Sequence, residues 1–243
     1  MRIEMDTDKM NDLTPEEGVK IIFEDNHVLV AFKPAGVLSQ SDGSDAPDML
    51  TVLKKYLKIK YDKPGEVFLG LLHRLDRPVS GIMVFARTSK CASRISEQIK
   101  KREVTKRYHA VVNGIPSKPE GRLSDYLLKD RATNTTRVVS GPLPGAKEAV
   151  LRYKLISSAE DAGKSFSLLD IELESGRGHQ IRTQLSSRGH FIIGDMRYGD
   201  GKIKCDIALE SYLIGFKHPV SKEYMEFKLP LKEDYPWSLF LEK

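Results

Sequence analysis

The sequence predicts an α+β fold: a single domain whose mixed, largely antiparallel central sheet is flanked by helices and loops. Two observations carry this. Short apolar runs bounded by turn residues recur from Ile21 to Leu229, as strands do, while only three segments repeat their apolar residues at helical spacing. No internal repeat of roughly 20 to 50 residues, low-complexity tract or coherent linker divides the 243 residues.

After an acidic, polar stretch over residues 1–20, Ile21 to Phe23 and His27 to Phe32 predict two strands. Glu24-Asp25-Asn26 is the turn between them, and Lys33-Pro34-Ala35-Gly36 ends the second. Leu50, Leu53 and Leu57 mark an amphipathic helix behind an Asp-bearing segment suited to capping it. Val67 to Leu72 and Ile82 to Ala86 predict two more strands. Ser89, followed by Ala92, Ile95 and Ile99, opens a second helix that ends in Lys100-Lys101-Arg102. Tyr108 to Val112 reads as a strand, with Tyr108 at its start, and Asn113-Gly114 stops it. Between Ile115 and Gly145 the periodicity is weak and Pro, Gly, Ser and charge are frequent, which predicts a loop-rich excursion. Strand patterns return at Ala149 to Ile156 and Phe166 to Leu173. The turn Ser175-Gly176-Arg177-Gly178 then leads into a short helix with Ile181 and Leu185 inward, polar residues on its other side and Gly189 beyond its end. Met225, Phe227 and Leu229 alternate with charge, and Pro230 stops that strand.

Forty per cent apolar and 30 per cent charged residues describe an ordinary globular chain. No apolar run approaches the roughly 20 residues that span a bilayer, and residues 1–20 lack the apolar core of a secretory signal. A cytoplasmic protein with no membrane role is expected. The two cysteines, Cys91 and Cys205, stand far apart in no paired spacing, so buried, reduced thiols are expected rather than a disulfide or a thiolate zinc site. The formal net charge is +5, and its placement matters more than its size. Arg74, Arg77, Arg87, Arg94, Lys100, Lys101, Arg102, Lys106 and Arg107 crowd one stretch, and Arg177, Arg182, Arg188 and Arg197 another. A solvated helix face would account for Lys100 to Arg102 alone. The predominance of arginine favours a polyanionic partner, because a planar guanidinium matches phosphate.

The most pointed local signal is His73-Arg74-Leu75-Asp76-Arg77-Pro78-Val79-Ser80-Gly81. It sets one carboxylate between two guanidinium groups just ahead of an apolar strand. Nearby cations favour the ionised form of Asp76, which a nucleophile or general base requires. His73 reads as a hydrogen-bonded scaffold residue. In Gly176-Arg177-Gly178-His179-Gln180-Ile181-Arg182-Thr183-Gln184 a glycine turn opens a helix, with His179 and Arg182 on one face and backbone N–H groups able to receive a phosphate. Neither a dinucleotide fingerprint nor a Walker A loop is present. A metal site from His179, His190 and Asp195 matches no common ligand spacing, so no metal is expected. Tyr108, in Thr105-Lys106-Arg107-Tyr108-His109-Ala110, is either an amphipathic strand-edge residue or a ring that stacks on an extruded base.

Taken together, these segments resemble the RluA-type pseudouridine synthases, which isomerise chosen uridines in ribosomal or transfer RNA. Lys33-Pro34-Ala35-Gly36-Val37 looks like the family's first motif and His73 to Gly81 like the motif of the catalytic aspartate. Lys106-Arg107-Tyr108 looks like the tyrosine motif, Gly176 to Gln184 like the arginine-bearing helix, and Gly194-Asp195 with Tyr198-Gly199 like a further signature. The resemblance implies Asp76 as nucleophile, Tyr108 as the ring against the target base and Arg182 as the partner that keeps Asp76 ionised and aimed. It implies that Arg74 enters the space left by the flipped nucleotide, that Arg77, Lys106, Arg107, Arg177 and His179 contact RNA, and that His73 and Gln180 support the site. No cofactor is implied. Val79 stands where many members have threonine and Gln184 where many have histidine. The expected organisation is a flexible segment over 1–20, no separate RNA-binding domain, and a catalytic domain over 21–243 that works as a monomer on RNA and not on DNA. Two other functions compete: a non-catalytic RNA-binding protein on the same architecture, and a glycosidase acting on a small nucleoside. The second would usually need two carboxylates in defined roles.

Overall fold

The computed structural model describes residues 15–241 and the backbone of residues 2–4. In chain order the elements are β1 (Arg2–Glu4), β2 (Lys20–Glu24), β3 (Val28–Lys33), α1 (Met49–Lys60), β4 (Gly70–Leu71), β5 (Ser80–Ala86), α2 (Ser89–Lys100) and β6 (Thr105–Asn113). There follow β7 (Glu120–Asp130), β8 (Thr135–Val139), β9 (Lys147–Asp161), β10 (Lys164–Leu173), α3 (Gln180–Ser186), β11 (Leu209–Lys217), β12 (Tyr224–Lys228) and a 3-10 helix at Trp237–Phe240. They form two compact units, residues 1–105 with 211–230 and residues 106–210 with 231–243. The pairings of β2 with β3, of β3 and β4 with β5, of β11 with β12 and along β6-β10-β9-β7-β8 are antiparallel, and β1 joins β12 in parallel, so the expected mixed, largely antiparallel α+β architecture is what is found. Of the segment expected to be flexible, residues 5–14 lie outside the described residues, while Arg2–Glu4 is strand.

In the first unit the strand order is β2-β3-β5-β11, with β4 beside β5 and β12 beside β11. The turn from β2 to β3 closes because Asp25 Oδ1 accepts the backbone N–H groups of His27 and Val28, both at 2.7 Å. Every residue of β5 is buried, as its unbroken apolar run predicts. Asp48 caps α1 by accepting from the Thr51 N–H, and Thr88 caps α2 through the Cys91 N–H. Val28, Val30, Ile82 and Val84 from two adjacent strands pack with Ile95 of α2 and with Ile214, Phe216 and Phe227 to make the core. The expected strand from Val67 to Leu72 shrinks to Gly70–Leu71. Val67 and Leu69 are buried and Phe68 is half exposed, but only Gly70 and Leu71 find ladder partners, at the end of β5.

In the second unit β6-β10-β9-β7-β8 form a run of antiparallel neighbours. The stretch from Ile115 to Gly145, expected to be loop-rich, instead contains the β7–β8 hairpin. Its periodicity is weak for a physical reason. On the face that bears buried Leu123 and Leu127, the alternating positions are also held by Asp125 and, across the pair, Thr136, polar residues satisfied by partners within this unit. Cys91 is buried and Cys205 only half-buried, contrary to expectation, and both are free thiols. No helix among the described residues is long and apolar enough to cross a membrane.

Candidate active site

The loop that carries Asp76 runs from β4 to β5 and is tied to the loop after β3 at several points. Lys33 is fully buried, and its Nζ donates to the carbonyls of Pro34 at 2.9 Å, Val37 at 2.6 Å and Arg77 at 3.1 Å. The Gly36 N–H donates to the Arg77 carbonyl at 2.9 Å, and Arg77 Nε returns a bond to the Gly36 carbonyl at 3.0 Å. One residue before Asp76, buried Leu75 is held at both polar ends by Ser39 Oγ, which donates to its carbonyl at 2.7 Å and accepts its N–H at 3.0 Å. The turn closes through the Val79 N–H on the Asp76 carbonyl at 3.0 Å. His73 Nε2 accepts the Val84 N–H at 3.0 Å, fastening the loop to β5.

Asp76 is thus a half-buried carboxylate on a loop with few degrees of freedom. Burial pushes the Lys33 amine down to about 7, a shift that the Asp76 carboxylate opposes and the Arg77 guanidinium reinforces. Arg74 is exposed and makes no hydrogen bond or ion pair among the described residues, while Arg77 is exposed but bonded to Gly36. Val79 is buried.

In the second unit Tyr108 is the fourth of nine residues of β6 rather than its first, and is 6% exposed. Lys106, two positions earlier and therefore on the same face, has its amine pulled down by burial. Its Nζ lies 3.6 Å from where a side chain on Gly176 would begin. Arg107 points from the other face and forks onto Asp170, through Nε to Oδ1 at 3.1 Å and through Nη2 to Oδ2. Arg177 Nε donates to the Glu148 carbonyl at 2.9 Å.

The helix α3 differs from its sequence reading in two ways. Its polar residues Gln180, Arg182, Thr183 and Gln184 are buried along with Ile181 and Leu185. Most of their polar tips find partners there: Thr183 Oγ1 donates to the Thr136 carbonyl at 3.2 Å, and Gln184 Nε2 to Asp125 Oδ2 at 2.6 Å and to the Ala149 carbonyl at 3.3 Å. His179 precedes the helix in the left-handed region at φ 57°, so it does not share a helical face with Arg182. Of the backbone N–H groups at this turn, that of Arg177 is committed within the protein: it donates to Gln180 Oε1 at 3.0 Å, which also accepts from Ser175 Oγ at 2.9 Å.

Arg182 is held by Asp195, Nε to Oδ2 at 2.8 Å and Nη2 to Oδ1 at 2.7 Å, with both side chains buried. Its guanidinium also lies 5.1 Å from the ring centre of Tyr198. Tyr198 Oη accepts the Thr136 N–H at 2.7 Å and meets His179 Nδ1 at 2.7 Å. Burial works against the ionisation of Asp195, yet the Arg182 guanidinium and the N–H groups of Arg197 and Tyr198 hold its carboxyl below the usual range. The three residues weighed as metal ligands are committed separately: His179 to Tyr198, Asp195 to Arg182, and His190 Nδ1 to the Asn113 carbonyl at 3.0 Å. Sequence reasoning gave no role to Lys33 or Tyr198 and weighed Asp195 only as a metal ligand. The only signal for them was that each stands in one of the recurring motifs.

The family model described as RNA pseudouridylate synthase matches residues 27–187. An RNA pseudouridine synthase of Bacillus subtilis, itself uncharacterised, is 33% identical over 235 residues, covering 96% of this chain and 75% of that protein. The ribosomal large subunit pseudouridine synthase D of Zymomonas mobilis is 31% identical over 89% of this chain and 70% of its own. The tRNA pseudouridine synthase C of Vibrio parahaemolyticus is 29% identical over 89% and 92%. Among solved structures, human RNA pseudouridylate synthase domain containing 4 superposes with a TM-score of 0.73 over 90% of this chain and 91% of that one, at 21% identity, which shows a shared fold. With the motif-bearing loops in place on that fold, the chain belongs to the RNA pseudouridine synthase family and is an isomerase of uridine in RNA.

Proposed function

We propose that residues 21–243 act together as the catalytic domain, on ribosomal or transfer RNA and in the cytoplasm, as a monomer that does not use DNA. In this reading Asp76 is the nucleophile, Tyr108 the ring against the flipped uracil, and Arg182 the cation that keeps Asp76 ionised and aimed. The observation that carries it is the loop of Asp76: a single carboxylate flanked by arginines and fastened through Lys33, Ser39 and His73. Exposed Arg74 is the side chain suited to fill the place of a flipped nucleotide, since its flat cation can stack on neighbouring bases.

The reaction breaks the N1 to C1′ bond of the uridine, turns the uracil and joins C5 to C1′. The proton on C5 leaves to solvent and N1 gains one, so atoms balance with no oxidant and no cofactor. Water must be excluded while the base is detached, because attack at C1′ would leave an abasic site. Two of the relatives named above are a ribosomal large subunit pseudouridine synthase and a tRNA pseudouridine synthase, which supports either class as substrate.

The test is proton release from C5-tritiated uridine in total transfer and ribosomal RNA from cells lacking this protein. Wild type is expected to release tritium from one pool, and Asp76→Asn to lose at least about 10⁴-fold in rate while still binding RNA. A folded wild-type protein that binds RNA but releases nothing would favour the non-catalytic reading, and free uracil formed from uridine would favour the glycosidase.

A further inference from the structure

We infer that Asp195 is a positioning residue for the isomerisation, setting the orientation of the Arg182 guanidinium that, on the reading above, aims Asp76. The argument begins with what an arginine is free to do. A guanidinium carries five donors in a rigid plane, and a bidentate carboxylate fixes that plane as a lone hydrogen bond does not. Asp195 grips the Nε and Nη2 edge of Arg182 at 2.8 and 2.7 Å, while the Tyr198 ring covers the group from a second direction at 5.1 Å.

The grip is itself braced. Asp195 Oδ1 accepts the backbone N–H groups of Arg197 at 2.9 Å and Tyr198 at 3.1 Å, and the Gly199 N–H donates to the Asp195 carbonyl at 2.8 Å. No side chain fits at either flanking glycine: a Cβ on Gly194 would lie 2.4 Å from the Asp206 carbonyl oxygen, and one on Gly199 2.5 Å from that of Asp195. Tyr198 is fixed in its turn, since its Oη accepts the Thr136 N–H at 2.7 Å and lies 2.7 Å from His179 Nδ1. The segment from Gly194 to Gly199 therefore holds one edge and one face of Arg182, and leaves α3 to set only the position of its Cα.

The experiment measures single-turnover rates with enzyme in excess, RNA dissociation constants, and a double-mutant cycle between Asp195→Asn and Arg182→Met. Asparagine keeps an oxygen for the two backbone N–H groups and loses the charge and the fork. The expected result is a drop of about 100-fold in single-turnover rate with RNA affinity nearly unchanged, the scale of a misplacement near 1 Å. In the Arg182→Met background the same substitution is expected to cost nothing further, since Asp195 acts through Arg182. Asp195→Glu keeps the charge but moves the carboxylate by one methylene, so it tests the geometry should the asparagine variant fail to fold; it too is expected to be slow while folded. Wild-type rates in folded Asp195→Asn or Asp195→Glu, or losses that simply add to that of Arg182→Met, would overturn the inference. Full activity in Arg182→Met alone would instead sink the role given to Arg182.

Discussion

Replacing Gly81 by alanine tests how tightly the Asp76 loop is anchored, because the two costs of that change separate. Gly81 sits near the start of β5, five residues after Asp76, at φ +133°, a conformation that L residues rarely adopt. Holding a non-glycine residue in such a region costs about 1–3 kcal/mol. A Cβ there would also stand 2.4 Å from the Ser211 carbonyl oxygen, 2.6 Å from its nitrogen and 2.7 Å from its Cβ. Two of those atoms are backbone of β11, so relief requires one strand to move, an overpacking cost of about 1–3 kcal/mol. Gly81→Ala is therefore expected to lose roughly 2–6 kcal/mol. Gly36→Ala is the control: Gly36 has φ +88° with nothing within 4 Å of a built Cβ, so it bears only a backbone term of about 1–2 kcal/mol. Urea unfolding of both variants, with slopes compared to confirm that the midpoints report stability, gives the difference. A Gly81→Ala protein no less stable than Gly36→Ala would refute the close approach of β5 to β11.

Lys33→Met should destabilise the protein by at least about 2 kcal/mol at neutral pH, since three carbonyls lose their donor. The deficit should also depend on pH. Lys33 titrates near 7 when folded and near 10.5 when unfolded, so between those values the unfolded chain holds more protons and wild-type stability gains up to about 1.4 kcal/mol per pH unit. The gap between wild type and Lys33→Met should widen from pH 7 to 9.5, and a constant gap in chemical denaturation would count against it. Arg107 and Arg74 should separate stability from RNA contact. Arg107→Ala strips buried Asp170 of its fork and should cost about 1–3 kcal/mol after allowance for the exposure of the arginine, with little change in the salt dependence of RNA binding. Arg74→Ala should leave stability unchanged and flatten the plot of log affinity against log salt by about one unit. The reverse pattern would mean that the charge of Arg107, not Arg74, faces the RNA.

Most strands and all three helices were legible because each carries an apolar signal of the correct period. The unbroken run of β5, the alternation of Met225 and Phe227 in β12, and Ile95 with Ile99 in α2 are each the burial pattern read directly. The motifs mark the loop of Asp76 and the helix of Arg182 in the sequence itself. What could not be read was pairing: that the carbonyl of Arg77 meets the amine of Lys33, 44 positions away, or that Arg107 is committed to Asp170, 63 positions away. A side-chain bond between distant segments leaves no periodic trace, and an exposed arginine and a neutralised one look alike in sequence.

The places where the pattern misled share one cause. In β7 and β8 the inward positions include Asp125 and Thr136, and in α3 the inward residues include Gln180, Arg182, Thr183 and Gln184. Polar residues at core positions erase the apolar period, so the hairpin looked like loop and the helix looked two-sided. These side chains are joined to one another: Gln184 reaches Asp125, Thr183 reaches the carbonyl of Thr136, and the N–H of Thr136 reaches Tyr198, whose ring covers Arg182. An apolar core packs α3 against the hairpin equally well but does not fix the rotation of a guanidinium. Directed hydrogen bonds do, at the cost of a weaker sequence signal. The hairpin is thus best regarded as part of the support of Arg182, and its illegibility follows from the polar side chains that make it so.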